Sequence, residues 1–179
     1  IDGRVNNDGQ VVLLSLSDFE RERDNRLRMQ EELDSARNLQ LGMLPDQAPT
    51  LDDSEVSLFT RPATEVGGDY YDFLLSEDAT LTLALGDATG HGMEAGTIVS
   101  GTMGLFQSLS PDMDVVDSLT HMSKQLRKMR IGRNGMALAL IKLNGNSLSY
   151  SSAGVPPLLI YRSQINEVQE VLAEGLPLG

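Results

Sequence analysis

The segment 69–87 alternates apolar and polar side chains in the manner of a two-stranded antiparallel hairpin. Two strand-like runs, 69–75 and 80–85, flank the polar tetrapeptide 76–79. Successive side chains of a strand point to opposite faces, so this hairpin is predicted to have one strongly apolar face. A second hairpin is predicted at Asn144-Gly145, because this dipeptide favours a tight two-residue turn. The chain is therefore expected to form an antiparallel sheet.

The order of the other elements predicts the fold class. A short strand at 56–60 precedes the first hairpin, and helices are predicted over 93–108 and 111–130, the second with Ser110 as N-cap and Pro111 at its first position. Strands follow at 136–143, 148–152, 157–161 and 167–172. Hairpin connections of this kind indicate an antiparallel α+β layered domain and not a parallel doubly wound sheet.

Periodicity and glycines predict how the two helices pack. The second helix has its apolar stripe at Val115, Val116, Leu119, Met122, Leu126 and Met129. The first contains Gly96, Gly101 and Gly104, each of which costs about 0.5–1 kcal/mol relative to alanine. Close packing of this helix on a sheet would account for them.

Two carboxylates are predicted to meet across the first hairpin. If its turn centres near Asp78, Asp69 lies opposite Asp87 at the open end of the apolar face. Opposed like charges destabilise a strand pair, and desolvation beside an apolar layer adds to the cost. Either one carboxyl group stays protonated or a divalent cation lies between the two, and oxygen ligands suit Mg²⁺, Mn²⁺ or Ca²⁺. The alternative is that both aspartates only cap turns.

Glycine-rich segments flank this carboxylate pair. Gly67 and Gly68 precede Asp69, and the turn 86–92 places Asp87 between glycines before a predicted helix begins. A helix N-terminus beside a metal centre suits an anionic substrate such as phosphate. The pattern thus favours a site for metal and phosphate.

Composition excludes several other classes of function. The formal net charge is −12, which argues against nucleic acid and anionic membrane surfaces as partners. The absence of cysteine excludes disulfides and zinc-thiolate sites, and the two histidines are too few for a histidine-rich metal site. No apolar run reaches the roughly 18 residues of a membrane span, and residues 1–10 are not a signal peptide. We expect a cytoplasmic domain.

One basic cluster interrupts the acidic chain. Five of the eight basic residues after position 45 lie within 124–133. The simpler interpretation is the solvated face and last turn of a helix, where cations suit the helix dipole. The other is a docking patch for an acidic or phosphorylated partner.

A long charged helix is predicted over 18–44, with Ser17 and Glu20 at capping-box spacing and Pro45 at its end. A heptad-like seam alternates steps of four and three along it, at Met29, Leu33, Ala36, Gln40 and Met43. The helix either packs on its own domain or forms a parallel dimer that passes a signal from an upstream domain.

Two ordered motifs carry a resemblance to a known family. Residues 65–73 (EVGGDYYDF) and 86–92 (GDATGHG) resemble the leading motifs of the SpoIIE/RsbU-type PPM protein phosphatases. Further matches are residues 36–45, which are similar to the linker-helix signature of that family, and the segments 61–63, 153–159 and 175–179. The resemblance covers about residues 36–179.

The resemblance implies a fold, a reaction and a set of site residues. The fold would be a β-sandwich flanked by helices, a PP2C-like domain that hydrolyses phosphoserine or phosphothreonine with two Mn²⁺ or Mg²⁺ ions. Asp87 would bridge the metals, the Ala88 carbonyl would complete one of them, and Asp69, supported by Glu65, would bind or orient metal water. The implied substrates are STAS-type anti-sigma-factor antagonists of bacterial partner-switching circuits.

The sequence departs from the family pattern in two informative ways. The family uses further downstream aspartates for the second metal, and residues 1–179 do not supply them, so the domain is expected to lack its C-terminal part. Val155 stands where the family often has histidine in an Ala-Gly-His-Pro-Pro loop.

These arguments divide the chain into three parts. Residues 1–17 resemble the end of an upstream PAS sensor, residues 18–45 form a dimerising helical linker, and residues 46–179 form the phosphatase domain. A metal-dependent Ser/Thr protein phosphatase, acting as a homodimer, is the function we expect. A non-catalytic signalling module of the same fold and a structural Ca²⁺-binding domain are the alternatives.

Overall fold

The structure is a computed structural model that describes residues 2–5, 11–14, 16–51, 54–60, 66–130, 132 and 134–179, with side chains from residue 17 onward. Its strands and helices, in chain order, are β1 (Asp2–Val5), β2 (Val11–Leu14), α1 (Leu16–Met43), β3 (Asp69–Leu75), β4 (Leu81–Ala88), α2 (Met93–Gln107), α3 (Val115–Lys128), β5 (Met136–Asn144), β6 (Ser147–Ala153), β7 (Leu158–Arg162) and β8 (Glu167–Val171).

Four strands form the central antiparallel sheet in the order β3-β4-β5-β6. The strands follow one another as hairpins, except that α2 and α3 lie between β4 and β5 in the chain. Both helices cover the same face of the sheet, α2 against β3 and β4 and α3 against β5 and β6. The predicted antiparallel α+β class is therefore confirmed.

The core lies between this sheet and the two helices. Fully buried apolar residues of α2 (Ile98, Val99, Phe106) and of α3 (Met122, Leu126) pack against Leu138 and Leu140 of β5. The Tyr70 ring of β3 meets Phe106 edge-on, with ring centroids 6.4 Å apart. The helix-covered face of the sheet thus carries Tyr70, and its neighbours Asp69 and Tyr71 belong to the opposite face.

Two separate two-stranded sheets complete the described part of the chain. β7 and β8 pair with each other, and β1 pairs with β2 from Asp2–Leu14 to Val5–Val11. The tripeptide Asn7-Asp8-Gly9, a turn signal in the sequence, lies outside the described residues. None of the described helices combines the length and apolar character that a membrane span requires.

Three local predictions were wrong. Residues 56–60 are not a strand, because they pair with no strand edge among the described residues. The helix predicted from Pro111 begins at Val115, because the Asp114 side chain accepts hydrogen bonds from Val116 N and Asp117 N and caps the helix there. Val116 and Met129, both predicted in the buried stripe, are 58% and 45% exposed.

The glycines of α2 pack against neighbours that were not predicted. A Cβ on Gly96 would lie 2.3 Å from Val66 Cγ1, and a Cβ on Gly101 would lie 2.6 Å from Met129 Cε. The missing side chains therefore let the segment before β3 and the end of α3 pack closely on α2. They do not serve packing on the sheet, as was predicted. Gly104 has open space beside it.

Candidate active site

The two aspartates lie opposite each other at one end of the β3–β4 hairpin. Asp69 pairs with Asp87, Tyr71 with Leu85 and Phe73 with Leu83, which is the predicted register. The turn sets this register: Asp78 accepts hydrogen bonds from Thr80 N at 3.0 Å and Thr80 Oγ1 at 3.0 Å. The predicted juxtaposition of the two carboxylates is confirmed.

The aspartates face away from the helices. On their face of the sheet Leu85 is 43% exposed, whereas Ala84 on the other face is 1% exposed. The prediction correctly grouped the residues that share a face, but the buried layer between sheet and helices is on the opposite side. Both carboxylates are therefore accessible to solvent and ligands.

A cavity of about 470 Å³ opens over the carboxylate pair. Its floor includes Asp69, Asp87 and Tyr71, and its walls come from two loops, one contributing Leu58, Phe59 and Thr60 and the other Gly154, Val155 and Pro156. Sequence reasoning missed the first loop because it was taken for a strand. The second was singled out only through the family motif that contains Val155.

The negative charge of Asp69 affects the ionisation of Asp87. Partial desolvation in the cavity wall and, second, the negative charge of Asp69 raise the pKa of Asp87 above its ordinary value. A cation between the carboxylates would reverse this effect, since an opposite charge favours the ionised form. The two carboxylates are thus open to solvent, and a bound cation would stabilise their ionised forms.

The oxygens of Asp87 and Ala88 converge beside Gly68. A Cβ on Gly68 would lie 2.9 Å from both Asp87 Oδ1 and the Ala88 carbonyl oxygen. Ala88 N in turn donates a hydrogen bond of 2.9 Å to the Gly68 carbonyl. Glycine is required here because any side chain would displace a backbone carbonyl and the site carboxylate together.

The structure brings three of the four predicted site residues together. Asp69, Asp87 and Ala88 lie at the same end of the hairpin, whereas Glu65 lies outside the described residues. Within the described ranges no group of three or more histidine, aspartate or glutamate side chains is placed to hold a metal ion. The local donor set is therefore two carboxylates and a backbone carbonyl.

A buried polar pair supports β3 from the helix side. Tyr70 Oη donates a hydrogen bond of 3.0 Å to Asp72 Oδ2, and Phe73 N donates one of 2.8 Å to Asp72 Oδ1. Burial and, next, the Asp72 carboxylate raise the pKa of the Tyr70 phenol far above its ordinary value. Tyr70 therefore stays protonated and fixes the strand that carries Asp69.

The end of α1 is attached to the glycine segment of the site. Gln40 Nε2 donates a hydrogen bond of 2.9 Å to the Gly67 carbonyl, and Gly67 N donates one of 3.0 Å to Gln40 Oε1. Tyr71 Oη donates to the Pro45 carbonyl at 3.2 Å. Gln40 was predicted as a seam position, and it instead contacts the chain two residues before Asp69.

The end of the long helix packs on its own domain, whereas its upper part is exposed. Gln40 and Leu44 are buried against the domain, so the end of the helix does pack on it. Farther up, residues 20–32 are all exposed, and Met29 of the predicted seam is 65% exposed. This exposed part is the one available for a helix partner.

Comparisons with known proteins relate this chain to one family. A sequence model of the family described as Stage II sporulation protein E (SpoIIE) matches residues 77–179. The phosphoserine phosphatase RsbU of Bacillus subtilis is 26% identical over 160 residues, which cover 84% of this chain and 46% of RsbU. The chain thus spans about half the length of this curated relative.

Solved structures show the same fold. The structure of the RsbU and RsbW domains of Rv1364c from Mycobacterium tuberculosis superposes with a TM-score of 0.56 at 28% identity, over 65% of this chain and 34% of that one. The SiaA-PP2C domain of Pseudomonas aeruginosa superposes with a TM-score of 0.72 at 21% identity, over 87% of this chain and 64% of that one. Because the family match spans more than half of the chain, this protein belongs to the SpoIIE family and has the PP2C-like fold of a SpoIIE/RsbU-type PPM phosphatase domain.

Proposed function

We propose that this protein is a metal-dependent phosphatase that hydrolyses phosphoserine or phosphothreonine on a regulatory protein. The observation that carries the proposal is the opposed pair Asp69 and Asp87, exposed in a cavity of about 470 Å³. A structural role alone does not account for two facing carboxylates, because like charges placed opposite each other on a strand pair are destabilising.

The donor set fits Mn²⁺ or Mg²⁺. Mg²⁺ is commonly held by one or two carboxylates, with water and substrate phosphate oxygens completing its coordination. Asp69, Asp87 and the Ala88 carbonyl are donors of this hard oxygen type. When bound, such ions neutralise charge on a phosphoryl group and lower the pKa of coordinated water. A complete domain of the family uses two ions.

The proposal gives each residue of the site a role. Asp87, whose Oδ1 lies with the Ala88 carbonyl oxygen beside Gly68, would hold both ions. Asp69 would bind or orient their water, supported by Glu65. Leu58, Phe59 and Val155 place apolar side chains beside the carboxylate pair, where the phosphoprotein would lie. Gly68 leaves the space in which the Asp87 and Ala88 oxygens converge.

We further propose that the substrate is a STAS-type anti-sigma-factor antagonist in bacterial partner-switching, and that the protein acts in the cytoplasm. The name of the relative RsbU, a phosphoserine phosphatase, and the pairing of RsbU and RsbW domains in Rv1364c support this choice. Helix 18–45 would join two copies through its exposed part, downstream of a PAS-like segment at 1–17. Removing residues 1–35 should abolish dimerisation in light scattering; an unchanged mass would contradict the dimer.

The test uses the protein at its full natural length with a phosphoserine-bearing STAS-type protein and Mn²⁺. Asp87→Asn should lower the rate of phosphate release by at least about 100-fold, because a neutral amide holds divalent ions more weakly and the ions would stabilise the charge that develops on the phosphoryl group. Asp112→Asn is the matched control, an exposed aspartate before α3, and should leave the rate unchanged. Equal rates for the two variants would refute the assignment.

The second candidate is a signalling module of the same fold that binds partners without turnover. The exposed length of α1, residues 20–32, favours it, because an exposed helix of this kind suits association. Under this alternative, Asp87→Asn should leave partner binding intact and no phosphate release should occur in the unmodified protein.

A further inference from the structure

A basic groove lies between α3 and β6, apart from the carboxylate pair. Its cavity of about 310 Å³ is lined by the cations Lys124 and Arg127, by hydroxyl side chains that include Thr120, Ser123 and Ser151, and by apolar side chains such as Leu178. We call this surface the basic groove. It contains two of the five residues of the basic cluster in 124–133.

Helical geometry explains why these cations face the groove. Thr120, Lys124 and Arg127 follow spacings of four and three, so they lie in one row along α3. The adjacent row, which contains Leu119, Met122 and Leu126, is buried against the sheet. The row of Lys124 and Arg127 therefore borders β6, at the margin of the buried face.

Lys124 and Arg127 are exposed cations, and the charge of Lys124 acts on the nearby Asp117 carboxyl group, where it opposes the rise in pKa caused by a hydrogen bond with Asp114. Neither cation forms a salt bridge within the described part of the chain. Outside the groove, Lys128 and Lys142 donate hydrogen bonds to neutral oxygens, Lys128 to Gln125 Oε1 and Lys142 to the Pro111 and Met113 carbonyls. The groove thus presents the positive charge of Arg127, and that of Lys124 partly offset by Asp117, on a protein of net charge −12.

The groove and the carboxylate cavity are bounded by consecutive residues. Ser151, Ser152 and Ala153 line the basic groove, and the next three residues, 154–156, line the cavity over Asp69 and Asp87. A protein segment that rests in the groove is therefore adjacent to the loop that forms the cavity wall.

We propose that the basic groove docks an acidic segment of the phosphoprotein substrate beside the catalytic cavity. The inference rests on the proposed phosphatase function. A phosphorylated protein approaching this chain meets a net negative charge and two site carboxylates, which slow association. Lys124 and Arg127 offset that repulsion locally, and complementary charge of this kind sets encounter rate and register.

The test compares two double charge reversals, one within α3 and one at its last residue and just beyond it. Lys124→Glu/Arg127→Glu removes the groove cations, and Lys128→Glu/Arg130→Glu makes the same charge change outside the groove lining. Each pair includes one of the cations of the last helical turn, Arg127 or Lys128, so the effect on the helix dipole is matched. Steady-state kinetics are measured with a phosphoserine-bearing STAS-type protein and with p-nitrophenyl phosphate.

We expect Lys124→Glu/Arg127→Glu to raise KM for the phosphoprotein about tenfold, with kcat and p-nitrophenyl phosphate hydrolysis unchanged. The substitution would replace two exposed ion pairs with the substrate by two repulsive contacts, and the free energy of binding lost in this way corresponds to roughly that factor. The control pair should raise KM less than about threefold, and added salt should reduce the difference. Equal effects of the two pairs, no effect of either, or equal losses on both substrates would each overturn the docking assignment.

Binding separates this inference from the phosphatase proposal. In the Asp87→Asn background, fluorescence anisotropy measures the affinity for the same labelled phosphoprotein without turnover. If the unmodified protein releases no phosphate, the phosphatase proposal fails, and affinity alone decides the groove. Weaker binding for the groove pair than for the control pair supports docking, and equal affinities refute it.

Discussion

The attachment of α1 to the site segment makes a quantitative prediction for Gln40. Replacing it with leucine keeps the side-chain size but removes both hydrogen bonds to Gly67, of 2.9 and 3.0 Å. Each bond contributes about 1 kcal/mol, and an unpaired buried backbone group costs about 1–3 kcal/mol. Because Gly67 is only half-buried, water partly replaces the lost partner. We expect the free energy of unfolding to fall by about 2–3 kcal/mol.

A set of variants tests the origin of this effect. Gln40→Glu keeps an acceptor for Gly67 N but buries a carboxylate oxygen against the Gly67 carbonyl, so at neutral pH its loss should be at least as large as that of Gln40→Leu. Gln30→Leu is the matched control, because Gln30 is exposed and its side chain bonds only to Asp34, at 3.3 Å. Its effect should stay within about 0.5 kcal/mol.

Urea unfolding measures these differences, and hydrogen exchange locates them. The Gly67 amide should exchange faster in Gln40→Leu, while the amides of β4 and β5 keep their protection apart from the global loss of stability. If Gln40→Leu is as stable as Gln30→Leu and Gly67 exchange does not change, the helix does not hold the site segment and the argument is wrong.

Three further predictions concern local structure. Gly68→Ala should lower stability by about 1–3 kcal/mol and reduce Mn²⁺ affinity in calorimetry, because its Cβ would meet the Ala88 carbonyl and Asp87 Oδ1. Gly104→Ala should instead raise stability by about 0.5–1 kcal/mol, because nothing lies near its Cβ and alanine favours a helix. Asp114→Ala should cost about 1 kcal/mol in thermal unfolding, because it removes the cap of α3. Hydrogen bonds from Ser76 and Thr80 lower the pKa of Asp78 in the folded protein. The unmodified protein should therefore be more stable than Asp78→Ala above the unfolded-state pKa near 3.9, and this stability difference should vanish as the pH falls through the folded-state pKa. A difference that grows in acid would contradict the last of these.

The hairpin register was predictable from sequence because few local features determine it. The polar turn around Asp78 and the alternation of apolar residues fix which positions face each other, and they placed Asp69 opposite Asp87. The tight turn after Asn144 was predictable for the same reason, and Gly145 has the positive φ of 52° that such turns need.

Features that depend on tertiary context were not predictable. Alternation shows which residues share a face but not which face the helices cover. The buried layer was therefore predicted on the aspartate face, whereas the helices cover the opposite face. Ser110-Pro111 and Asp114 are all acceptable helix starts, and only the hydrogen bonds of Asp114 decide between them. The contact of Gln40 with Gly67 joins residues 27 apart in the chain, and periodicity carries no signal for it.

The central claim is that the carboxylate pair Asp69 and Asp87 supports metal-dependent phosphate release. The most direct measurement is release of inorganic phosphate from a phosphoserine-bearing STAS-type protein by the full-length natural protein, with Mn²⁺, after EDTA, and after Mn²⁺ is restored. We predict turnover with Mn²⁺, loss of turnover with EDTA, and recovery. Turnover that survives EDTA, or the absence of turnover when calorimetry shows bound Mn²⁺, would contradict the account.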